Sequence, residues 1–86
     1  MITAQDAYRL FSNEMDGLTV VTGYEYDTCF VFNAVPDKYV GDKDREKLLD
    51  TAYSVNKRSG KIGRFNPLFM PAAEYKRGRR IVIFDR

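Results

Sequence analysis

The sequence contains no histidine, and Cys29 is its only cysteine. Without histidine the chain has neither the commonest general base nor the commonest zinc ligand, and the histidine-dependent serine and cysteine triads are excluded. A single cysteine excludes an internal disulfide and is typical of a reducing compartment. A lone cysteine in a β-rich run is far more often a small core residue than a nucleophile. We therefore expect no catalytic residue, no metal and no cofactor, with chemistry by carboxylates alone as the one enzymatic alternative.

Long apolar runs are also missing. No stretch approaches the roughly 18 apolar residues that a membrane-spanning helix requires, and Met1-Ile2-Thr3 leads directly into a polar segment without the apolar region of a signal peptide. These features predict a cytoplasmic protein with no membrane partner. The length of 86 residues with 44% hydrophobic residues predicts a single small domain spanning residues 1–86.

Two stretches of the sequence partly match ligand-binding motifs, a phosphate-binding loop and a calcium loop, but each lacks required residues. The run Gly60-Lys61-Ile62-Gly63 lacks both the spacing of a phosphate-binding loop and its following serine or threonine. The acidic cluster at Asp37, Asp42, Asp44 and Glu46 is interrupted by basic residues and lacks the central glycine and final glutamate of a calcium loop. A solvated loop is the better interpretation of this cluster.

Charge is distributed unevenly along the chain. Residues 1–52 carry ten acids and five bases, a net charge of −5, whereas residues 53–86 carry nine bases and two acids, a net charge of +7. Such an asymmetry is typical of a surface for nucleic acid or an acidic partner. The alternative is that both halves fold into one globule whose charges form ordinary solvated faces.

The first half of the chain predicts one helix and two strands. Thr3 and Asp6 have the spacing of a capping box, so a helix is expected from about Ala4 to Met15, where Gly17 ends it. Alternation predicts a strand over Leu18–Tyr26 with a bulge at Gly23, and β-forming residues predict a second strand over Cys29–Val35 that Pro36 stops. These two strands should form an antiparallel hairpin.

The second half is more fragmented. Asp42–Leu49 predicts a short surface helix or a loop, with Leu48 and Leu49 as its apolar anchors. Tyr53–Phe65 predicts a second hairpin, in which Asn56-Lys57-Arg58-Ser59-Gly60 supplies the turn and Gly60 the positive φ angle.

Beyond this hairpin, Pro71 favours a short helix over Ala72–Arg77 that Gly78 ends. The apolar run Ile81–Phe84 predicts a last strand, or alternatively a continuation of that helix. The fold class is therefore α+β: an N-terminal helix and two antiparallel hairpins in a sheet of four to five strands. Helices should pack on one face of this sheet and leave the other face solvated.

The turn and its flanks, Tyr53-Ser54-Val55-Asn56-Lys57-Arg58-Ser59-Gly60-Lys61-Ile62, follow a helix and a hairpin. This arrangement resembles small immunity-type proteins of bacterial toxin systems and uncharacterised prophage or mobile-element proteins, which often carry a similar valine, Asx, basic, glycine turn. The resemblance covers about ten residues and transfers no binding residue to this chain. It implies a small binding protein, although this chain lacks the acidic character of many toxin-neutralising proteins.

Two functional hypotheses follow. The first is a non-catalytic protein-binding module with an unidentified protein partner. The alternative is a nucleic-acid-binding protein in which basic side chains contact phosphates and exposed tyrosines stack on bases. Both hypotheses use the same predicted surface, formed by the basic hairpin, the basic C-terminal segment and two nearby tyrosines: Lys57, Arg58, Lys61, Arg64, Lys76, Arg77, Arg79, Arg80, Tyr53 and Tyr75.

The final apolar run also predicts a homodimer. Ile81, Val82, Ile83 and Phe84 would place apolar side chains on both faces of a strand, yet a sheet covered on one side buries only one face. Pairing with the same strand of a second copy would cover the other face. The alternative is that the run packs within its own monomer.

Overall fold

A computed structural model describes residues 1–81 and shows an α+β fold, as predicted. Its three helices and five strands are, in chain order, α1 (Ala4–Glu14), β1 (Leu18–Glu25), β2 (Cys29–Pro36), α2 (Lys43–Leu49), β3 (Thr51–Asn56), β4 (Ile62–Arg64), α3 (Ala72–Lys76) and β5 (Arg79–Ile81). Two single 3₁₀ turns, Asp37–Tyr39 and Pro67–Phe69, lie between them. None of the helices in residues 1–81 has the length and apolar character needed to cross a bilayer.

All five strands form one antiparallel sheet in the order β4-β3-β2-β1-β5. The two predicted hairpins supply the first four of these strands, because consecutive strands pair through short turns. The chain then returns across the sheet, so that β4 and β5 form opposite edges. This separation matters for function because the two basic segments of the sequence include these two edges.

Helix α1 covers the first face of the sheet. The predicted capping box is present: the Thr3 hydroxyl accepts a hydrogen bond from the Asp6 backbone N–H, and the Asp6 carboxylate accepts one from Thr3 N–H. The helix buries Ala7 and Phe11 completely. The Phe11 ring lies 5.6 Å from that of Phe32, in a core that also contains Val55.

A bulge in β1 lies at a different place from the predicted one. The register shifts between Val20 and Thr22, whereas Gly23 pairs regularly with Phe32 and Ile81. Because one extra residue reverses the alternation of side chains, Val20 joins the core beneath α1 while Tyr24 packs in a separate cluster. The bulge therefore divides the side chains of β1 between two clusters.

The second face is not uniformly solvated, which corrects another expectation. Cys29 and Val31 are buried there together with Tyr26, and Phe65 and Met70 pack against them. These β2 residues alternate with Phe30 and Phe32 of the first core, so β2 is buried on both sides. The segment that follows β4, including α3, covers this end of the second face.

The β3–β4 hairpin confirms its predicted turn. The Asn56 side chain accepts hydrogen bonds from the backbone N–H groups of Arg58 and Ser59, at 2.8 and 3.0 Å. Gly60 has a φ angle of +72°, and its N–H donates to the Asn56 carbonyl. Val55 pairs with Ile62 across the hairpin.

The short helices differ from expectation in detail. Asp42 caps α2 by accepting from Arg45 N–H, but Leu48 is 80% exposed and therefore does not anchor this helix. Pro71 precedes α3 rather than forming its first residue. Gly78 does not have a positive φ angle; it is close-packed against the ring of Tyr26 instead.

The last strand begins at Arg79, two residues before the predicted start, and pairs with β1. Its pairing excludes a continuation of the helix through Ile81, which is buried in the core beneath α1. Val82, Ile83 and Phe84, on which the dimer prediction depends, lie outside the described residues.

Candidate binding surface

Three of the predicted basic residues are paired with carboxylates. Lys57 and Arg79 both contact Glu25, through Lys57 Nζ at 2.8 Å and Arg79 Nη2 at 3.3 Å. The hydrogen bond from Lys57 is the main cause of a lowered pKa at Glu25, and Arg79 contributes further. Lys57 is largely buried, and its Nζ lies 5.0 Å from the centre of the Phe30 ring. Its ammonium group is therefore held by contacts within the fold at the turn end of the sheet.

Arg77 is paired in the same region. Its guanidinium donates two hydrogen bonds to the Asp27 carboxylate in the β1–β2 turn, one of them from Nε at 3.1 Å. This contact lowers the pKa of Asp27 and raises that of Arg77. Both side chains are more than half exposed, so the ion pair is a surface contact of small energetic weight.

The remaining basic residues do not form one continuous surface. Arg58 and Lys61 belong to the β3–β4 turn, while Arg80 lies on the opposite edge strand and Lys76 on α3. These four form no salt bridge with any residue in 1–81. The guanidinium carbon of Arg64, Cζ, lies 6.0 Å from the centre of the Tyr53 ring. The predicted surface therefore divides into a turn group and a C-terminal group.

The two predicted tyrosines have different environments. Tyr53 is half-buried against Phe11, with ring centres 5.4 Å apart, and belongs to the core beneath α1. Tyr75 is 48% exposed and stacks on Tyr26 at 5.8 Å. The other neighbour of Tyr26 is Phe65, at 5.9 Å. Only Tyr75 of the predicted pair therefore offers substantial surface to a partner.

The most exposed apolar side chains after the N-terminal methionine are found in a segment outside the predicted surface. Leu68 is 87% exposed and Phe69 88% exposed, side by side on the 3₁₀ turn between β4 and α3. The side-chain oxygen of Asn66 accepts a hydrogen bond from the Leu68 backbone N–H at 3.0 Å. The backbone carbonyl of Asn66 accepts another from the Phe69 N–H, also at 3.0 Å. Pro67 fixes one φ angle in the same turn. We call Asn66–Met70 the apolar turn.

A cavity of about 230 Å³ lies beside the apolar turn on the second face of the sheet. The residues that line it include Phe65, Phe69, Met70, Cys29 and Glu74. Burial, together with the negative charge of Glu74, raises the pKa of the Cys29 thiol. The thiol is therefore neutral at neutral pH, which disfavours nucleophilic chemistry at this residue.

Glu74 is the only buried charged residue among those described, with 8% of its surface exposed. One carboxylate oxygen, Oε2, accepts two hydrogen bonds from Thr28, from the backbone N–H at 2.9 Å and from the hydroxyl at 2.7 Å. These bonds attach α3 to the β1–β2 turn. No group of three potential metal ligands occurs in the described part of the chain.

Comparisons with known proteins add no family, since no family model, curated protein or solved structure matches the chain. Sequence reasoning missed the apolar turn and Glu74. Asn66-Pro67 followed by Leu68-Phe69-Met70 was the available signal for the turn, whereas burial of Glu74 depends on a contact with Thr28 that no local pattern reveals.

Proposed function

We propose that the chain is a small non-catalytic protein-binding module whose apolar turn anchors the partner. The observation that carries this proposal is the exposure of Leu68 and Phe69, at 87% and 88%, on a turn fixed by its own hydrogen bonds. Binding energy at interfaces is concentrated in a few large side chains that enter pockets on the partner. Burial of a leucine or phenylalanine contributes roughly 1.5–3 kcal/mol each.

The order of the turn supports this role. A partner that binds a preformed turn need not supply the entropy cost of fixing it, which improves the affinity obtained from a small contact. Asn66 accepts hydrogen bonds from the Leu68 and Phe69 amides, so the backbone that carries the two side chains is ordered. The resemblance of the β3–β4 turn to those of immunity-type and mobile-element proteins is consistent with a binding role.

Charge around the turn indicates the partner's chemistry. Lys76 is exposed on α3, the helix that follows the apolar turn. Lys76 has no carboxylate partner in residues 1–81. We expect a partner surface with an apolar pocket bordered by acidic side chains, because complementary charge speeds association and selects among partners.

Affinity capture from the native host with matched variants tests this proposal. The tagged wild-type chain is compared with a Leu68→Ser, Phe69→Ser double variant and with Leu48→Ser, which removes an exposed leucine from α2. The expected result is a protein captured by the wild type and Leu48→Ser but at least about tenfold depleted with the double variant. Capture that does not differ among the three chains, or no captured protein, would overturn the proposal.

The second candidate function is nucleic-acid binding, which the unpaired turn bases favour. Arg58 and Lys61 are exposed at the tip of the β3–β4 hairpin, and neither forms an ion pair with the described residues. Free cations of this kind can contact phosphates without first breaking an internal salt bridge. The paired Lys57, Arg77 and Arg79 would make a smaller contribution.

Salt dependence tests this second candidate. Affinity for a generic oligonucleotide should fall steeply as salt rises, and the slope should flatten when Arg58, Lys61, Arg79 and Arg80 are changed to Glu. A control with Lys43 and Lys47 of α2 changed to Glu alters exposed charge elsewhere and should retain most of the slope. Absence of binding at low salt would dispose of the nucleic-acid hypothesis.

A further inference from the structure

The cavity beside the apolar turn is suited to a small organic ligand. Its volume is about 230 Å³. Phe65, Met70 and Pro71 supply apolar parts of its wall, while Thr28, Ser54 and Asn66 supply polar parts. It is open on one side, so a ligand can enter without unfolding the segment that covers it.

Glu74 lines this cavity, and only one of its two carboxylate oxygens accepts hydrogen bonds from the described residues. Both hydrogen bonds from Thr28 go to Oε2, and no residue in 1–81 donates to Oε1. A carboxylate can accept further hydrogen bonds at that oxygen. A buried carboxylate is also stabilised by a paired cation, so this oxygen favours a positively charged donor.

The neighbouring cations are directed elsewhere. Arg77 interacts with Glu74 electrostatically, but its guanidinium is hydrogen-bonded to Asp27. Arg64 lines the cavity, yet its guanidinium lies over Tyr53, which packs against the first face of the sheet. The cavity therefore combines apolar and polar side chains with one buried carboxylate, that of Glu74.

We propose that this cavity binds an ammonium group carried on a short apolar stem. The ammonium would donate to Glu74 Oε1, and the stem would pack against Met70 and Pro71. The Phe65 ring on the cavity wall provides a surface that also attracts cations. A free alkylamine and a lysine side chain share this chemistry. The inference does not depend on the docking function of Leu68 and Phe69.

Methyl NMR on the wild-type chain tests the site directly. The three methionines are Met1, Met15 and Met70, of which only Met70 lines this cavity. Titration with n-hexylamine should shift the Met70 methyl resonance saturably and leave those of Met1 and Met15 in place. n-Hexanol has the same stem without the charge and should bind at least about tenfold more weakly. Blocked lysine, Nα-acetyl-lysine methylamide, distinguishes a peptide source from a free amine.

Two variants with the same change in charge locate the contact. Glu74→Gln should weaken hexylamine binding at least about tenfold, whereas Asp44→Asn, at an exposed position of α2, should leave it unchanged. Saturable binding of either amine with these differences supports the site. Equal binding of hexanol, an equal loss with Asp44→Asn, or no Met70 shift with either amine would overturn it. The wild-type comparison of hexylamine with hexanol decides the question even if Glu74→Gln fails to fold.

Discussion

Individual side chains connect the C-terminal segment to the β1–β2 hairpin. Glu25 joins Lys57 and Arg79, Asp27 joins Arg77, and Thr28 joins Glu74. In each contact a residue near the β1–β2 turn meets a residue far away in sequence. Three of the nine bases in residues 53–86 thus pair with acids of the first half of the chain.

The Glu25 contacts predict a specific pH dependence. The pKa of Glu25 is lowered from its ordinary value of 4.5, first by the hydrogen bond from Lys57. Since the folded-state pKa lies below that of the unfolded chain, the stabilisation is complete above about pH 4.5 and is lost as the pH falls through the folded value. Glu25→Gln should therefore cost roughly 1 kcal/mol of unfolding free energy at pH 7 and progressively less in acid.

Urea denaturation of both chains from pH 7 down to pH 3 measures this difference. Ser12→Ala, at an exposed position of α1, provides a control whose effect should not depend on pH. A Glu25→Gln effect that stayed constant over the acidic range would show that the carboxylate charge does not stabilise the fold.

A second residue-scale prediction concerns Gly78. A Cβ atom at this position would lie 2.3 Å from Cε1 of the Tyr26 ring, which is buried and stacked between Phe65 and Tyr75. Because that ring cannot move freely, Gly78→Ala should destabilise the protein by about 1–3 kcal/mol. Gly63→Ala is the matched control, since its Cβ would have no neighbour within 4 Å and its φ angle is not positive. Equal unfolding free energies for the two variants would contradict the close packing.

At the scale of elements, structural features that depend on residues close in sequence were predictable, and features that depend on contacts between distant residues were not. The Thr3 capping box and the Asn56–Gly60 turn were predicted correctly because both depend on residues a few positions apart. The position of the bulge in β1 was predicted wrongly. The pairing register with β2 places it after Val20, and the glycine in the strand does not determine it. The Leu68–Phe69 site was also missed, since an apolar run is normally buried and its exposure depends on the whole fold.

The cap of α1 gives a prediction at this scale. Thr3→Ala removes the hydroxyl that accepts from Asp6 N–H at 3.1 Å, and should cost about 1 kcal/mol. Asp6→Asn keeps an acceptor for Thr3 N–H and should cost less. Thermal unfolding followed by circular dichroism measures both. If the Thr3→Ala chain is as stable as the wild type, water replaces the capping hydrogen bond to Asp6 N–H without loss of stability.

For the whole molecule, the central question is whether its exposed apolar surface contributes to folding or to binding. The core beneath α1 and the cluster around Tyr26 hold the buried apolar residues, and Leu68 and Phe69 lie outside both. Side chains that remain exposed in the folded chain lose little contact energy when they are truncated. An unchanged unfolding free energy after truncation of Leu68 and Phe69 would therefore indicate that these side chains do not stabilise the fold and are free to serve in binding.

The unfolding free energy of the Leu68→Ser, Phe69→Ser variant should consequently lie within about 0.5 kcal/mol of the wild-type value. Met70→Ser, one residue later, should cost more than 1 kcal/mol, roughly in proportion to the surface it buries against the Tyr26 cluster. Denaturant unfolding at two protein concentrations measures both effects and also detects self-association through these side chains. If the double variant is as destabilised as Met70→Ser at both concentrations, the apolar turn is part of the folded core and the proposed anchor is wrong. If it is destabilised only at the higher concentration, the surface that covers Leu68 and Phe69 belongs to a second copy of this chain, because a monomer's unfolding free energy does not depend on concentration.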